Sequence, residues 1–356
     1  MAPTDAAAIT ALERVAYYLD RVLSESHRVQ AYVKAADLVR SLPAGELEER
    51  HAAGTLKELA GIGPKTATII GQALDGGPIP YLDELERTTV IDVGDDPAVT
   101  DLRAAIKGDC HSHSVWSDGG APVETMARAA MALGHEWLVM TDHSPRLTVA
   151  HGLSPERLRA QLQEIAEINE RLAPFRILTG MEVDILADGA LDLPEEMLSE
   201  LDVVVASVHS KLSMPAPEMT RRMVMAVSSP HVDILGHCTG RKVPGNMRQV
   251  GQSDFGGRKG SEFDADIVFA ACARFGTAVE INCRPERQDP PDDLLDLALE
   301  WGCTIAIDTD AHAPGQLEWQ PFGCEKAVRH GIDADSIVNT KSADDLVAWA
   351  GSHAIA

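Results

Sequence analysis

The sequence predicts an α/β protein: a distorted seven-stranded (β/α)7 TIM-like barrel preceded by a small all-α domain built around a helix-hairpin-helix. Three observations carry that prediction. The first seventy-odd residues place apolar side chains at three- and four-residue spacing, as amphipathic helices do. From about residue 106, short strand-like runs alternate with amphipathic helical ones seven times, the signature of a parallel sheet with helices outside it. And most of those strand-like runs end in a histidine or an acid.

In the helical part, "ALERVAYYLDRVL" and "RVQAYVKAADLVRSL" carry the apolar stripes. "LKELAGIGPKTATIIGQAL" then reads as a short helix that stops at Gly61-Ile62-Gly63 and a second that starts at Pro64, a residue suited to a first helical turn. Glycine permits the tight turn, and amide groups there and at the new helix N-terminus can face a phosphate. Gly61, Gly63 and Lys65 are therefore candidate contacts to a DNA backbone, independent of base sequence. Proline, glycine and acidic residues cluster over 77–106. This places a helical domain at 1–90, a linker at 91–105 and the barrel domain at 106–350.

The barrel strands are expected in "GDCHSH", "WLVMTDH", "RILTGMEVD", "VVVASVH", "VDILGHCT", "AVEINCR" and "TIAIDTDAH". The helices between them include "VETMARAAMALG", "SPERLRAQLQEIAEINERLA", "PEMTRRMVMAVSS", "DADIVFAACARFG" and "PDDLLDLALEWG". Ser154 and Pro155 are natural cap and first-turn residues for the second of these.

The candidate site follows from this topology. In a parallel barrel all strand C-termini emerge on one face. Strand one ends in His111 and His113, with Asp118 in the loop beyond; later strands end in His143, Glu182, His209, His237, and Asp310 with His312. His-x-His suits a strand, since residues i and i+2 point the same way. Six of the thirteen histidines thus gather at one end of one barrel. Imidazole and carboxylate without thiolate suit Zn²⁺, Mn²⁺ or Fe, and nine such groups exceed what one ion uses, so two or three divalent ions are expected. Clustered ions point to phosphoryl chemistry.

Cations near the strand ends are candidates for the substrate phosphate: Lys211, Arg241, Arg284 and Arg287. The six cysteines form no CxxC pair and read as buried thiols. The polar, Gly-rich stretch 245–262 reads as a loop near the site. A net charge of −24 excludes a broad electrostatic grip on nucleic acid, though not local contacts. No run reaches the roughly 18 apolar residues of a membrane span, and the N-terminus lacks signal-peptide features, so a cytoplasmic protein with no membrane partner is expected.

The motifs "HSHSVWSDG", "TDHS", "GMEVD", "SVHS", "GHCTG" and "DTDAH" resemble, in order, those of the PHP (polymerase and histidinol phosphatase) family, over about residues 106–350. Their spacing is similar to that of the PHP domain of bacterial X-family DNA polymerases, and "RVQAYVKAADLVRSL…LKELAGIGPKTA" resembles the small N-terminal domain of those enzymes. The polymerase core between the two is missing: some thirty residues cannot hold a palm with three catalytic carboxylates. The resemblance implies a trinuclear centre. His111, His113, Glu182 and Asp310 would hold the first ion. Glu182 would bridge to a second, held also by His209 and His237. Asp118, His143 and His312 would hold the third; the family places a histidine or an acid where Asp118 stands. The implied function is a metal-dependent phosphoesterase acting on DNA, as a 3′–5′ exonuclease or 3′-end-processing enzyme in DNA repair, without polymerase activity. The alternatives are a phosphatase for a small phosphomonoester of the histidinol-phosphate type, and a non-catalytic DNA-binding or scaffold protein with structural metals.

Overall fold

The computed structural model describes residues 3–244 and 256–353. The described residues form two compact units that divide between Asp92 and Val93. The loop expected at 245–262 lies mostly outside the described residues.

The first unit is all helical: Pro3–Arg21, Ser26–Ser41, Glu46–Ala53, Pro64–Leu74 and Pro80–Thr88, with a 3₁₀ turn at Leu56–Glu58. Its own core is built from Leu12, Val15, Leu19, Leu47, Ile70 and Leu85, all inaccessible to solvent. Burial of each such large side chain stabilises the unit by about 1.5–3 kcal/mol. Gly71 admits the His51 ring, which would lie 3.2 Å from a Cβ there, and His51 reaches Asp75 at 2.7 Å. Helix Pro64–Leu74 begins where the sequence predicts. Gly61 turns the chain at φ +101°, and Thr66 closes the cap by accepting the Gly63 N–H at 2.9 Å.

The second unit holds seven parallel strands in sequence order: β1 Gly108–Asp109, β2 Trp137–Met140, β3 Arg176–Asp184, β4 Val203–Ser207, β5 Ile234–Leu235, β6 Ala278–Asn282 and β7 Ile305–Asp308. Each pairs with the next. The barrel nearly closes just beyond β1 and β7, where Ser112 bridges Ala311 in parallel. The strands are buried almost throughout and rich in Val, Ile, Leu and Met, as expected when helices cover the outside. Ser154 caps helix Pro155–Leu172 by accepting the Arg157 N–H, as the sequence predicts.

Three features differ from the sequence reading. The linker segment contains a helix, Pro97–Ala105, capped by Asp96 and burying Val99 and Leu102. Asp-Pro followed by two apolar residues three apart is a helix start, and the surrounding acids and glycines mask it. The strands are shorter than the segments expected from the sequence, so His111 and His113 lie beyond β1 rather than within it. Helices Gln320–Arg329 and Ala343–Ala350 follow β7. Among the described residues no helix is long and apolar enough to cross a membrane.

Candidate metal centre

All nine predicted ligands come from the C-terminal ends of the barrel strands. Glu182 alone sits inside a strand, β3, in register with Val205 of β4. The others occupy the turns that follow β1, β2, β4, β5 and β7. Two glycines let these turns pack. A Cβ on Gly119 would lie 2.7 Å from the His113 backbone, and one on Gly236 would lie 2.4 Å from Ser207 Oγ. The loop carrying Asp118 is organised by buried Asp142, which accepts the Ser114 and Ser117 amides at 2.9 and 3.1 Å and the Ser114 hydroxyl at 2.7 Å.

Glu182 is the hub. Its Oε2 lies 3.4 Å from His111 Nε2, 3.6 Å from His113 Nε2 and 2.9 Å from His143 Nδ1. Its Oε1 lies 3.1 Å from His209 Nε2 and 2.9 Å from His237 Nε2. Asp310 Oδ1 approaches His113 at 3.5 Å and His111 at 4.0 Å. On the outer side, Asp118 Oδ1 stands 3.5 Å from His143 Nε2 and 3.3 Å from His312 Nε2. His312 Nδ1 lies 2.9 Å from both the Asp310 carbonyl and the Arg284 guanidinium, and its Nε2 faces Asp118.

The donors fit divalent cations. Nε2 of His111, both nitrogens of His113 and both of His209 are buried with no hydrogen-bond partner. Such orphaned imidazole nitrogens are costly unless a cation takes the lone pair. Three sets have ligand atoms within 4.8 Å of one another: His113, Asp118, His143 and His312; His111, His113 and Glu182; His143, Glu182 and His209. His113 and His143 each belong to two sets. His237, expected beside His209, touches the hub carboxylate but joins none of the three.

The electrostatics follow from this crowding. Burial disfavours the charged form of Glu182, but His209, His111 and His143 overcome it and hold its carboxyl well below the usual range. Burial likewise opposes ionisation of Asp310, and Arg284, Arg287 and His111 hold it low. Burial lowers His209, yet Glu182 and Asp184 push it up to about 9. His113 is driven down by burial and by His312 and His143. The centre is thus anionic at its carboxylates, as cation binding requires.

The substrate candidates differ in their engagement. Arg287 Nε lies 3.0 Å from Asp310 Oδ2, and Arg284 Nη1 donates to the Asp310 carbonyl at 2.8 Å, so both border the ligand cluster. Arg241 is committed to the carbonyls of Arg287 and Gln288. Lys211 is exposed in the loop after His209, at φ +53°. In the helical unit, Lys65 is exposed, but the Gly63 N–H is spent on Thr66, which leaves the Lys65 and Thr66 amides as the first of the helix. Cys110 and Cys238 are buried and free beside the ligands, their thiols pushed well up by burial.

Sequence reasoning missed the residues behind the ligands. Asp142 and Asp184 stand beside motif residues but carry no signal of their own in the sequence; Asp184 accepts the His209 N–H at 3.2 Å. Glu280 and Asn282 on β6 are buried and contact ligands. The available signal was a pair of polar residues two apart inside the apolar run "AVEIN".

Residues 4–79 match the model of a helix-hairpin-helix domain, and residues 109–249 match that of the PHP domain. The chain is 38% identical over 244 residues to a Bacillus subtilis protein named DNA polymerase/3′-5′ exonuclease PolX, a match covering 68% of this chain and 41% of that protein. The matched region thus spans about two fifths of the length of that relative. A probable phosphatase of Acetivibrio thermocellus is 30% identical over 188 residues, covering 48% of this chain and 76% of that protein. A solved histidinol phosphate phosphatase of Lactococcus lactis, in complex with zinc, L-histidinol and phosphate, aligns with a TM-score of 0.42 and 18% identity over 64% of this chain and 94% of that one.

Proposed function

The chain belongs to the PHP family of phosphoesterases and carries a helix-hairpin-helix domain, and from that premise we propose that it hydrolyses phosphoesters at DNA 3′ ends, as a 3′–5′ exonuclease or 3′-end-processing enzyme of DNA repair. The helix-hairpin-helix carries the choice of DNA: its turn and the exposed Lys65 offer amides and one cation to a phosphate backbone, and a small-ester phosphatase has no use for them. The nine ligands would hold two or three divalent ions, of which Zn²⁺, Mn²⁺ and Fe suit the nitrogen and oxygen donors. When bound, such ions supply an activated water and charge for the phosphate oxygens. The chain's own residues do the rest. Arg284 and Arg287 border the cluster beside Asp310, where they can neutralise a phosphate arriving at the ends of β6 and β7. Burial of His111, His113, Glu182 and Asp310 keeps those charges effective on the inner side of the cluster.

A second reading, a phosphatase for small phosphomonoesters, is supported by the net charge of −24 and by the 76% coverage of the probable phosphatase. One panel separates the two: single-stranded DNA, recessed 3′ ends, 3′-phosphate ends, abasic DNA and histidinol phosphate, each with Mn²⁺ and with Zn²⁺. Release of mononucleotides or phosphate from 3′ ends is expected, with no template-directed nucleotide incorporation. Turnover of histidinol phosphate alone would overturn the DNA reading. The polymerase arm has its own warrant: between the two matched regions stand only helices Pro80–Thr88 and Pro97–Ala105.

A further inference from the structure

We propose that Glu280 is a positioning residue for the metal centre: with Asn282 it forms a buried brace on β6 that sets the tautomer of His111 and steadies His237 and Asp310. The proposal rests on reading the histidine cluster as a metal site. β6 contributes none of the nine ligands, yet it places two polar side chains at i and i+2, on one face of the strand, and both are buried. A carboxyl buried in an apolar strand is costly unless it is fully used.

Each oxygen of Glu280 has a partner on a different ligand. Oε1 lies 2.5 Å from His111 Nδ1. A carboxylate accepts there, so Nδ1 carries the proton and Nε2 keeps its lone pair. Nε2 is the nitrogen that faces Glu182 at 3.4 Å and has no hydrogen-bond partner. Oε2 accepts the backbone N–H of His237 at 2.5 Å and the Asn282 Nδ2–H at 3.1 Å. Asn282 Nδ2 also lies 3.2 Å from Asp310 Oδ2. One carboxyl and one amide therefore connect ligands that follow β1, β5 and β7.

The backbone supplies a second observation. His237 and Asp310 have positive φ, +20° and +51°. Non-glycine residues persist in such conformations only where their surroundings over-determine them. The brace holds the His237 amide directly and the Asp310 side chain through Asn282. Partners of this kind orient ligands and raise metal affinity without touching the ion.

Glu280→Gln tests the idea, since it keeps the shape and replaces one acceptor oxygen by a donor. If the amide faces His111, the ring proton moves to Nε2, the metal-facing nitrogen; if it faces His237, two donors meet. Full-length wild type, E280Q, H111A and the double variant would be equilibrated with chelator-buffered Zn²⁺ or Mn²⁺ and their bound metal counted by elemental analysis. E280Q is expected to weaken one ion about 10–100-fold. E280Q should cost less in the H111A background than in wild type, because one arm of the brace runs through His111 and the arm to His237 and Asp310 remains. Nitrogen NMR of the Zn²⁺-loaded protein should show the His111 ring proton on Nδ1 in wild type and its displacement in E280Q. N282A, a milder cut to the same brace, should weaken metal binding less than E280Q, and it serves should E280Q fold poorly. Wild-type affinity in E280Q, or an effect that persists undiminished in the H111A background, overturns the brace. If wild type itself takes up no ion, the metal reading falls first and the proposal with it.

Discussion

Glu182→Gln probes the point where the charges of the centre converge. The substitution keeps shape and removes one negative charge from among five imidazoles at 2.9–3.6 Å. In the metal-free protein the effect is read most directly through His209. Burial lowers that ring's affinity for a proton, and Glu182 with Asp184 raises it to about 9. Against an ordinary value of about 6.5, at about 1.4 kcal/mol per unit, His209 contributes at most about 3 kcal/mol, with Glu182 the leading cause that raises it. The sign follows from linkage: a folded value above the unfolded one means stability that is complete below about pH 6.5 and lost as the pH rises through about 9. Burial also opposes the proton on His111, and Glu280, Glu182 and Asp310 outweigh it, which adds in the same direction. Calorimetry of metal-free wild type and E182Q from pH 6 to pH 10 should give a melting temperature about 4–8 °C lower for the variant at pH 6, with the gap narrowing toward pH 10. Reloading with metal should leave E182Q short of at least one ion. A gap that does not change with pH, or a full metal complement in E182Q, would refute the hub assignment.

Two further outcomes test other parts of the molecule. Lys65→Ala in the full chain should raise KM for oligonucleotides about 3–10-fold at low salt and reduce the slope of log KM against log salt by about one phosphate's worth. Hydrolysis of a small chromogenic phosphoester should be unchanged, and equal losses on both substrates would count against a DNA-contacting hairpin. His135 is buried between Arg103 and Gln320, and burial first, then the nearby guanidinium, drives it down to about 3. It stays neutral in the fold while the unfolded chain protonates below about pH 6.5, so stability is lost as the pH falls from there toward 3, by at most about 4–5 kcal/mol. Urea titrations between pH 4 and pH 7 should show a shallower pH slope for H135Q than for wild type; parallel slopes would exclude the effect.

Much of the centre is legible in residue type and order. His and acid residues at the ends of apolar runs announce a barrel with a polar rim, because parallel strands must deliver their C-termini to one face. The exact strand ends are not legible. Thr141, Asp142, His143 and Ser144 are as buried as Trp137–Met140 before them, so burial runs on past the point where the ladder stops. The helix at Pro97–Ala105 escapes notice for the opposite reason: its short apolar face is embedded in a segment whose composition is that of a turn.

The sequence by itself determined the class of fold, the hairpin and the identity of the nine candidate ligands, since each depends on local periodicity or on a residue's own chemistry. How those ligands combine was decided only in three dimensions. His113 lies near both Glu182 and the Asp118 set, and His143 likewise belongs to two sets. The supports are also non-local: Glu280 reaches His111 from 169 positions away, and Asp142 fastens the loop of Ser114 across 28. A hydrogen bond is set by distances of a few tenths of an ångström. Spacing along the chain carries no such information until barrel closure brings β7 back beside β1.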